Sequence, residues 1–448
     1  MNVTLINTPD SNVYEGFKRP NIKNLPLGLA YIASQLEKDG HNVVVIDPIA
    51  DNLDYDIFLN KIIESKPEIL GTSATTPIIT NALKIIKDIK LIDNSIYTVI
   101  GGPHISATPK WTLINHKEYL DFVVYGEGEQ SISELVNRLS TDKDFTEVKG
   151  IGYLKDNEVI INPKRDLIYN LDNIPFPARH LFNIDKYVNE IRFDKTKSPH
   201  ISLTSSRGCI GRCTFCGSDT TWGHGVRFRS PENIIQEIKY CHYKFNSNNF
   251  IFVDDTFTTN RSHIIEICDR IIQLPFDIRI FCSSRVDTID IQKLSWLKKA
   301  GCDCITYGIE SGDNNILRLM RKNTTVDMIK YAIKITKDAD IGTHGSFIIG
   351  NLGDSEETIN KTIELSISLD LDQVQFSILV PLPGTKCYEQ ALEENRFKGD
   401  PKDYKSFFWY YSVVANMTDD VTDEKLIDLQ KTAYSRWKLS KQSELGDI

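Results

Sequence analysis

The sequence predicts an α/β protein: an N-terminal doubly wound, Rossmann-like parallel sheet, then a partial (β/α)6 barrel of TIM type with a C-terminal helical cap. Three observations carry this expectation. Short β-rich runs alternate with amphipathic stretches twice over, from residue 2 to about 138 and again from 200 to about 380, and such alternation builds parallel sheets covered by helices. Between the two series, LDNIPFPARHLF at 171–182 holds prolines too closely spaced for a helix and marks a boundary. With 448 residues the chain has room for more than one buried core. The expected division is 1–140, a hairpin and ordered linker at 141–195, the barrel at 196–387 and a helical, substrate-capping region at 388–448.

In the first series the β-rich runs are VTLI at 3–6, NVVVID at 42–47, EILGTS at 68–73, YTVIGG at 97–102 and DFVVYG at 121–126. Amphipathic stretches at 28–39, 55–65, 79–92 and 129–139 separate them. Ligands of such sheets sit beyond the strands' carboxyl ends. The loops there are small and hydrogen-bonding: Asn7-Thr8-Pro9, Thr72 to Pro77, Gly101-Gly102-Pro103-His104 and Gly126-Glu127-Gly128-Glu129. No GxGxxG follows the first strand and no GxxxxGK precedes a Ser or Thr, which disfavours an ordinary NAD or ATP domain. A hairpin, IGYLKDNEVIINP at 151–163, opens the linker. Six strands follow: HISLTSS, NFIFVDD, IRIFCSS, CITYGIES, THGSFIIG and VQFSILVP. By the logic of full barrels, their site lies at the carboxyl ends. An aromatic knot, FFWYYSVV at 407–414, sits in the tail, where Trp409, Tyr410 and Tyr411 face either a substrate or, as large apolar rings more often do, the core.

Composition narrows the function classes. Apolar residues make up 41% and charged residues 25%, near the soluble globular average, and no run approaches the roughly 18 apolar residues of a membrane span. Lysine and arginine number 52 against 61 aspartate and glutamate, giving −9 with no basic block, so nucleic acid and anionic membranes have no electrostatic footprint. A small-molecule or peptide substrate is the expected partner. The start, MNVTLINTPDSN, has no basic n-region or apolar h-region, and the expected location is cytoplasmic. Nine cysteines in such a chain suggest a reducing compartment, where clustered thiols are more often ligands or catalysts than staples.

The sharpest signal is SSRGCIGRCTFCG, which sets Cys209, Cys213 and Cys216 in a C-x3-C-x2-C array just after the first barrel strand. At this cysteine frequency the spacing arises by chance only about 0.004 times in such a chain. Three thiolates this close can hold one iron–sulfur cluster and leave one iron open for a ligand. Zinc is an alternative, though a structural zinc wants a fourth ligand and His224 stands eight residues on. Inert buried thiols or a redox pair are the other alternative.

Cys-x3-Cys-x-Phe-Cys after the first strand of a six-unit βα barrel resembles the radical S-adenosylmethionine (SAM) enzymes, over about residues 196–390. The resemblance implies that the three cysteines bind a 4Fe-4S cluster and that SAM's amino and carboxylate groups chelate the fourth iron. One electron then cleaves SAM to a 5′-deoxyadenosyl radical. By the same resemblance Phe215 packs on the adenine. FVDDTF ends the second strand, where the family receives the methionine ammonium, which implicates Asp254, Asp255 and Thr256; paired aspartates there are equally a helix N-cap. Ser284 and Arg285 end the third strand, with Arg285 the candidate fork for the SAM carboxylate. GIESG puts Glu310 at the family's ribose-hydroxyl position, with Arg321 and Lys322 one helix further on; a solvated helix face is the plain alternative for these charges. GSFIIGNLGDSEE matches the fifth-strand adenine motif, implicating Ser346 and Phe347, and PLPGT at 381–385 ends the sixth strand.

The first 140 residues, with NTP, PLGLAYIASQLEKDGHNVVVID, GTSATT, GGPHIS and YGEGE, resemble the cobalamin-binding domain fused to one large radical SAM subgroup, as does LDNIPFPAR. This implies a tail site among Thr8, Ser73, Ala74, Thr75, Gly101, Gly102, His104, Gly126, Glu127 and Gly128. No D-x-H-x-x-G occurs, so a histidine lower ligand to cobalt is not indicated. The same fold without its ligand is the alternative. The implied function is an anaerobic, class B radical SAM methyltransferase that uses methylcobalamin to methylate an unactivated carbon, fed by a low-potential donor such as flavodoxin or ferredoxin. Cyclisation, ring contraction and other rearrangement are the implied alternatives, and a noncatalytic cobalamin or metal sensor is the alternative from another class.

Overall fold

The computed structural model describes residues 1–9, 24–187, 199–407 and 413–443, without the side chains of 442 and 443. Two compact units emerge: Met1–Ser202 with Gly217–Gly223, and Leu203–Cys216 with His224–Ile448. Among the described residues no helix is long and apolar enough to cross a membrane.

The first unit holds a seven-stranded sheet of β1 (Asn2–Asn7), β2 (Asn42–Ile46), β3 (Ile69–Ser73), β4 (Tyr97–Gly101), β5 (Phe122–Val124), β6 (Ile151–Lys155) and β7 (Glu158–Ile161). Its order is β2-β1-β3-β4-β5-β6-β7, parallel as far as β5. Alternate residues of a strand point to opposite faces, and β1 does so: Val3 and Leu5 join one core with Leu36, Leu135 and Val136, while Ile6 joins another with Phe58, Ile62, Ile85 and Ile89. Burial of each such side chain contributes about 1.5–3 kcal/mol. The strand order 2-1-3-4-5 reverses direction between β1 and β3, the place where such sheets open a crevice at their carboxyl ends.

The hairpin expected in a linker is instead part of this sheet. β6 pairs antiparallel with β5, Val123 opposite Gly152, and β7 pairs antiparallel with β6. A Cβ on Gly152 would stand 2.8 Å from the Val123 side chain and 2.5 Å from that of Ile161, so the strands close there only over glycine. The first unit therefore runs past residue 140, since an unpaired β5 would leave its backbone groups unsatisfied.

The second unit contains β8 (His200–Leu203), β9 (Ser206–Arg207), β10 (Arg227–Phe228), β11 (Asn249–Phe252), β12 (Arg279–Ser284), β13 (Cys302–Glu310), β14 (Gly342–Ile349) and β15 (Gln373–Ile378). β9 and β10 form a two-stranded ribbon; the others make a six-stranded sheet in the order β15-β14-β13-β12-β11-β8. The pairings from β11 to β15 are parallel. Helices Pro231–Phe245, Arg261–Ile272, Ile291–Lys299, Val326–Asp338 and Glu356–Ser368 alternate with the strands, and each starts on a side-chain cap: Ser230, Asn260, Asp290, Thr325 and Ser355. The expected partial (β/α)6 barrel is the observed one.

The tail is helical, as expected. Helix Asp423–Ser443 packs on β15, the open edge of the sheet. There the Tyr434 hydroxyl accepts from Phe376 N at 2.9 Å and Gln430 Nε2 donates to Phe376 O at 2.9 Å. The helix satisfies an edge strand whose ladder groups have no further strand to meet. Phe407, Val413 and Val414 are buried, whereas Trp409, Tyr410 and Tyr411 lie outside the described residues.

Candidate active site

The cysteine loop leaves β8 and is held at both ends. At its start Ser205 N and Oγ and Ser206 Oγ all donate to the buried Asp254 carboxylate, at 3.0 Å and 2.7 Å for the two Ser205 groups. Near its end Thr214 N donates to Met320 O at 3.0 Å, and Cys387 N donates to Thr214 O at 2.9 Å. Between these anchors Gly211 N points at Cys209 Sγ at 3.3 Å, and Thr256 Oγ1 lies 3.5 Å from the same sulfur. A Cβ on Gly211 would stand 3.5 Å from Cys209 Sγ, 3.6 Å from Cys213 Sγ and 2.9 Å from Arg285 Nη1. Two sulfurs and a guanidinium thus converge around Gly211, where an added side chain would first crowd Arg285. Among the described residues no three His, Cys, Asp or Glu side chains are grouped as ligands of a single ion; Cys209 and Cys213 converge at Gly211, while Cys216 is exposed.

Cations face this loop. Arg285 donates through Nε and Nη2 to the two Asp287 oxygens at 2.8 and 2.7 Å and through Nη2 to Lys322 O at 2.6 Å, leaving Nη1 directed at Cys213 Sγ, 3.8 Å away. Lys322 Nζ pairs with Glu310 Oε1 at 2.7 Å, both side chains buried. Glu310 has φ +69° beside a register shift in the β13–β14 pairing, an uncommon conformation for a non-glycine residue that re-aims its carboxylate. A Cβ on Gly308 would meet that carboxylate at 2.5 Å and the Lys322 Nζ at 2.8 Å. Burial pushes the Cys213 thiol up from its ordinary range, and Lys322 and Arg285 pull it back toward the thiolate. Burial works against the Arg285 charge, yet Asp287 and the sulfurs hold its pKa above the usual value.

A separate cavity of about 330 Å³ lies in the first unit at the carboxyl ends of its strands. Leu5, Ile32, Val99, Val124 and Ile132 supply apolar walls, and Ser73, Gly101, Gly102, Gly126, Glu127 and Gly128 line it as well. Gly102 has φ +99°, and a Cβ there would strike Ser73 Oγ at 2.5 Å and Ala74 N at 2.8 Å. The backbone of GGPH is therefore drawn tightly onto the loop after β3, with Ala74 N donating to Gly101 O at 2.9 Å.

Residues 203–366 match the radical SAM superfamily, and residues 23–136 match the B12 binding domain. An uncharacterised methyltransferase of Pyrococcus horikoshii is 36% identical over 370 residues, covering 83% of this chain and 79% of that protein. The chain belongs to the cobalamin-dependent radical SAM family. An anaerobic magnesium-protoporphyrin IX monomethyl ester cyclase of Rubrivivax gelatinosus is 28% identical over 424 residues, 93% of this chain and 74% of that protein. The radical SAM methyltransferase TsrM of Kitasatospora setae, solved with cobalamin and the 4Fe-4S cluster bound, shares the fold with a TM-score of 0.71 at 18% identity, over 87% of this chain and 75% of that one.

As a radical SAM protein the chain uses SAM, a 4Fe-4S cluster and cobalamin, and its residues fit them. The three cysteines suit a cluster with one free corner; the apolar cavity with its glycine rim suits a bulky tail. Several of the residues expected at the SAM site have protein partners of their own. Asp254 is spent on Ser205 and Ser206; its burial raises its pKa and the serine hydrogen bonds oppose the rise. Asp255 beside it is exposed, and Thr256 lies against Cys209. Ser284 sits in a buried hydroxyl trio with Thr258 and Thr288. Phe347 is 1% exposed and stacks on Phe376 at 5.0 Å. Ser346, next along β14 on the opposite face, is half-buried, and Phe215 packs beside Ile348 against the cluster around Leu379, Cys387 and Met417.

On the cobalamin side Thr8, Ala74, Thr75 and His104 are not among the cavity walls. Thr8 Oγ1 bonds Thr72 Oγ1 at 2.8 Å, Ala74 is buried, and Thr75 is exposed. His104 Nδ1 lies 3.1 Å from Thr76 Oγ1, and burial, aided by His116, pushes its pKa down to about 3. Two residues escaped sequence reasoning. Asp287, which orients Arg285, had a signal in the Arg-Val-Asp spacing; Trp222, a cavity wall, had none, because it follows the cysteines in sequence and joins the first unit only through the fold.

Proposed function

We propose that this protein is a C-methyltransferase acting on an unactivated carbon of a small-molecule or peptide substrate, with its electron supplied by a low-potential donor such as flavodoxin or ferredoxin. The observation that carries the reading is the pairing, in one chain, of the three-cysteine loop of a radical SAM domain with a B12 binding domain, supported by the methyltransferase name of the 36% identical relative. When bound, the cluster with SAM supplies hydrogen-abstracting radical chemistry and cobalamin supplies a methyl carrier. The chain's own residues hold and orient. Cys209, Cys213 and Cys216 would take three cluster corners, while the hydrogen bonds of Thr214 to Met320 and Cys387 keep their loop from shifting. Arg285 and Lys322 bring positive charge to the Cys213 side, favouring the thiolate needed for ligation. The Glu310 carboxylate, fixed by Lys322 and a strained backbone, presents a preorganised acceptor for a sugar hydroxyl.

Cyclisation is a second reading, favoured by the likeness to the cyclase over 93% of this chain. Anaerobic reconstitution with iron and sulfide, then reduction with SAM, tests the enzyme reading. 5′-Deoxyadenosine is expected, and a protein that binds cobalamin but cleaves no SAM would instead be a sensor. Methyl-labelled SAM with candidate substrates separates methyl transfer from rearrangement. Cys213→Ala should abolish the cluster absorption and SAM cleavage together; retention of both would overturn the assignment.

A further inference from the structure

We infer that Trp222, with Thr221, is a cobalamin-contacting residue, contributed by the segment that follows the cysteine loop and not by the matched B12 segment. The inference rests on cobalamin being the ligand of the first unit. Three observations carry it. Gly217–Gly223 belongs to the first unit, although Cys216, one peptide bond away, belongs to the second. Its short helix, Ser218–Trp222, packs on helix Pro103–Ala107 of the GGPH loop. Lys164 Nζ donates to Thr220 O at 2.9 Å, satisfying a last-turn carbonyl. Thr221 and Trp222 thereby wall the same cavity as Leu5, Ile32 and Gly28.

The cavity is too small for a corrin macrocycle with its side chains, but suits the planar aromatic base at the end of the cofactor's nucleotide tail. Trp222 is half-buried and lines this cavity, and an indole is the kind of wall against which a planar base packs.

The test titrates the full chain with hydroxocobalamin and with cobinamide, which lacks the nucleotide tail, following corrin absorbance and tryptophan emission. Trp222→Ala should weaken cobalamin at least tenfold and leave cobinamide unchanged, with Trp222→Phe recovering most of the affinity. In the wild type, cobalamin but not cobinamide should quench emission that is missing in Trp222→Phe. Should Trp222→Ala not fold, Gly28→Leu fills the cavity from helix Leu27–Lys38, where an added Cβ meets nothing within 4 Å; it should show the same selective loss. Equal loss of both ligands, or no loss of either, overturns the inference. A wild-type chain that binds neither overturns the cobalamin reading beneath it.

Discussion

Replacing Asp254 separates the role the family resemblance implies from the one its hydrogen bonds give it. If its carboxylate receives the SAM ammonium, substitution costs cofactor affinity; if it anchors the start of the cysteine loop, substitution loosens that loop. Its oxygens accept from Ser205 N, Ser205 Oγ and Ser206 Oγ, and the side chain is buried. Hydrogen bonds to a charged group are each worth about 1.5–3 kcal/mol, and a buried donor left unmatched costs about 1–3 kcal/mol. The two hydroxyls can rotate to other acceptors but the Ser205 N–H cannot, so Asp254→Ala should destabilise the loop locally by about 3 kcal/mol. At 1.4 kcal/mol per factor of ten, amide exchange around Ser205 and Ser206 should accelerate about a hundredfold in hydrogen-exchange mass spectrometry. Asp254→Asn keeps one acceptor oxygen and should accelerate exchange by about tenfold or less. SAM affinity of reconstituted Asp254→Asn should stay within threefold of wild type. Unchanged exchange in Asp254→Ala, combined with a tenfold weaker SAM affinity in Asp254→Asn, would refute this reasoning.

Asp287→Ala removes both carboxylate contacts of Arg285 without touching a cysteine; iron content after reconstitution should hold while SAM affinity falls about tenfold, measured by equilibrium dialysis. Phe347→Leu should cost about 1–2 kcal/mol in stability through lost stacking on Phe376, visible as a lower denaturation midpoint, with SAM affinity unchanged. His104 gives a pH dependence with a definite sign. Its unfolded imidazole takes a proton below about 6.5, whereas burial delays this to about 3 in the fold. Stability from this residue is therefore complete above 6.5 and lost as pH falls toward 3, by an amount on the order of 5 kcal/mol. Urea unfolding of His104→Gln between pH 7 and 4 should show a shallower acid loss than wild type.

The alternation of β-rich and amphipathic segments was legible because strand and helix impose different apolar periods, and burial enforces those periods locally. The three cysteines were legible because their ligating power needs only proximity along the chain. Less was readable wherever a residue's partner is distant in sequence. Asp254 and Phe347 stand in expected motifs, but which face of the strand they occupy, and what already fills that face, depends on Ser205 and on Phe376. The hairpin at 151–163 was visible, yet its pairing with β5 was not, because a strand carries no local mark of the edge it will join.

The sequence alone determined the two α/β layouts, the cysteine loop and the glycine-rich strand ends, since each is a matter of local spacing and backbone freedom. Only the tertiary structure decided that Arg285 is gripped by Asp287 and turned toward Cys213, that the tail helix seals β15, and that Trp222 walls the first unit's cavity. These are contacts between segments that the chain brings together only when its apolar faces are buried, and no local pattern encodes their geometry.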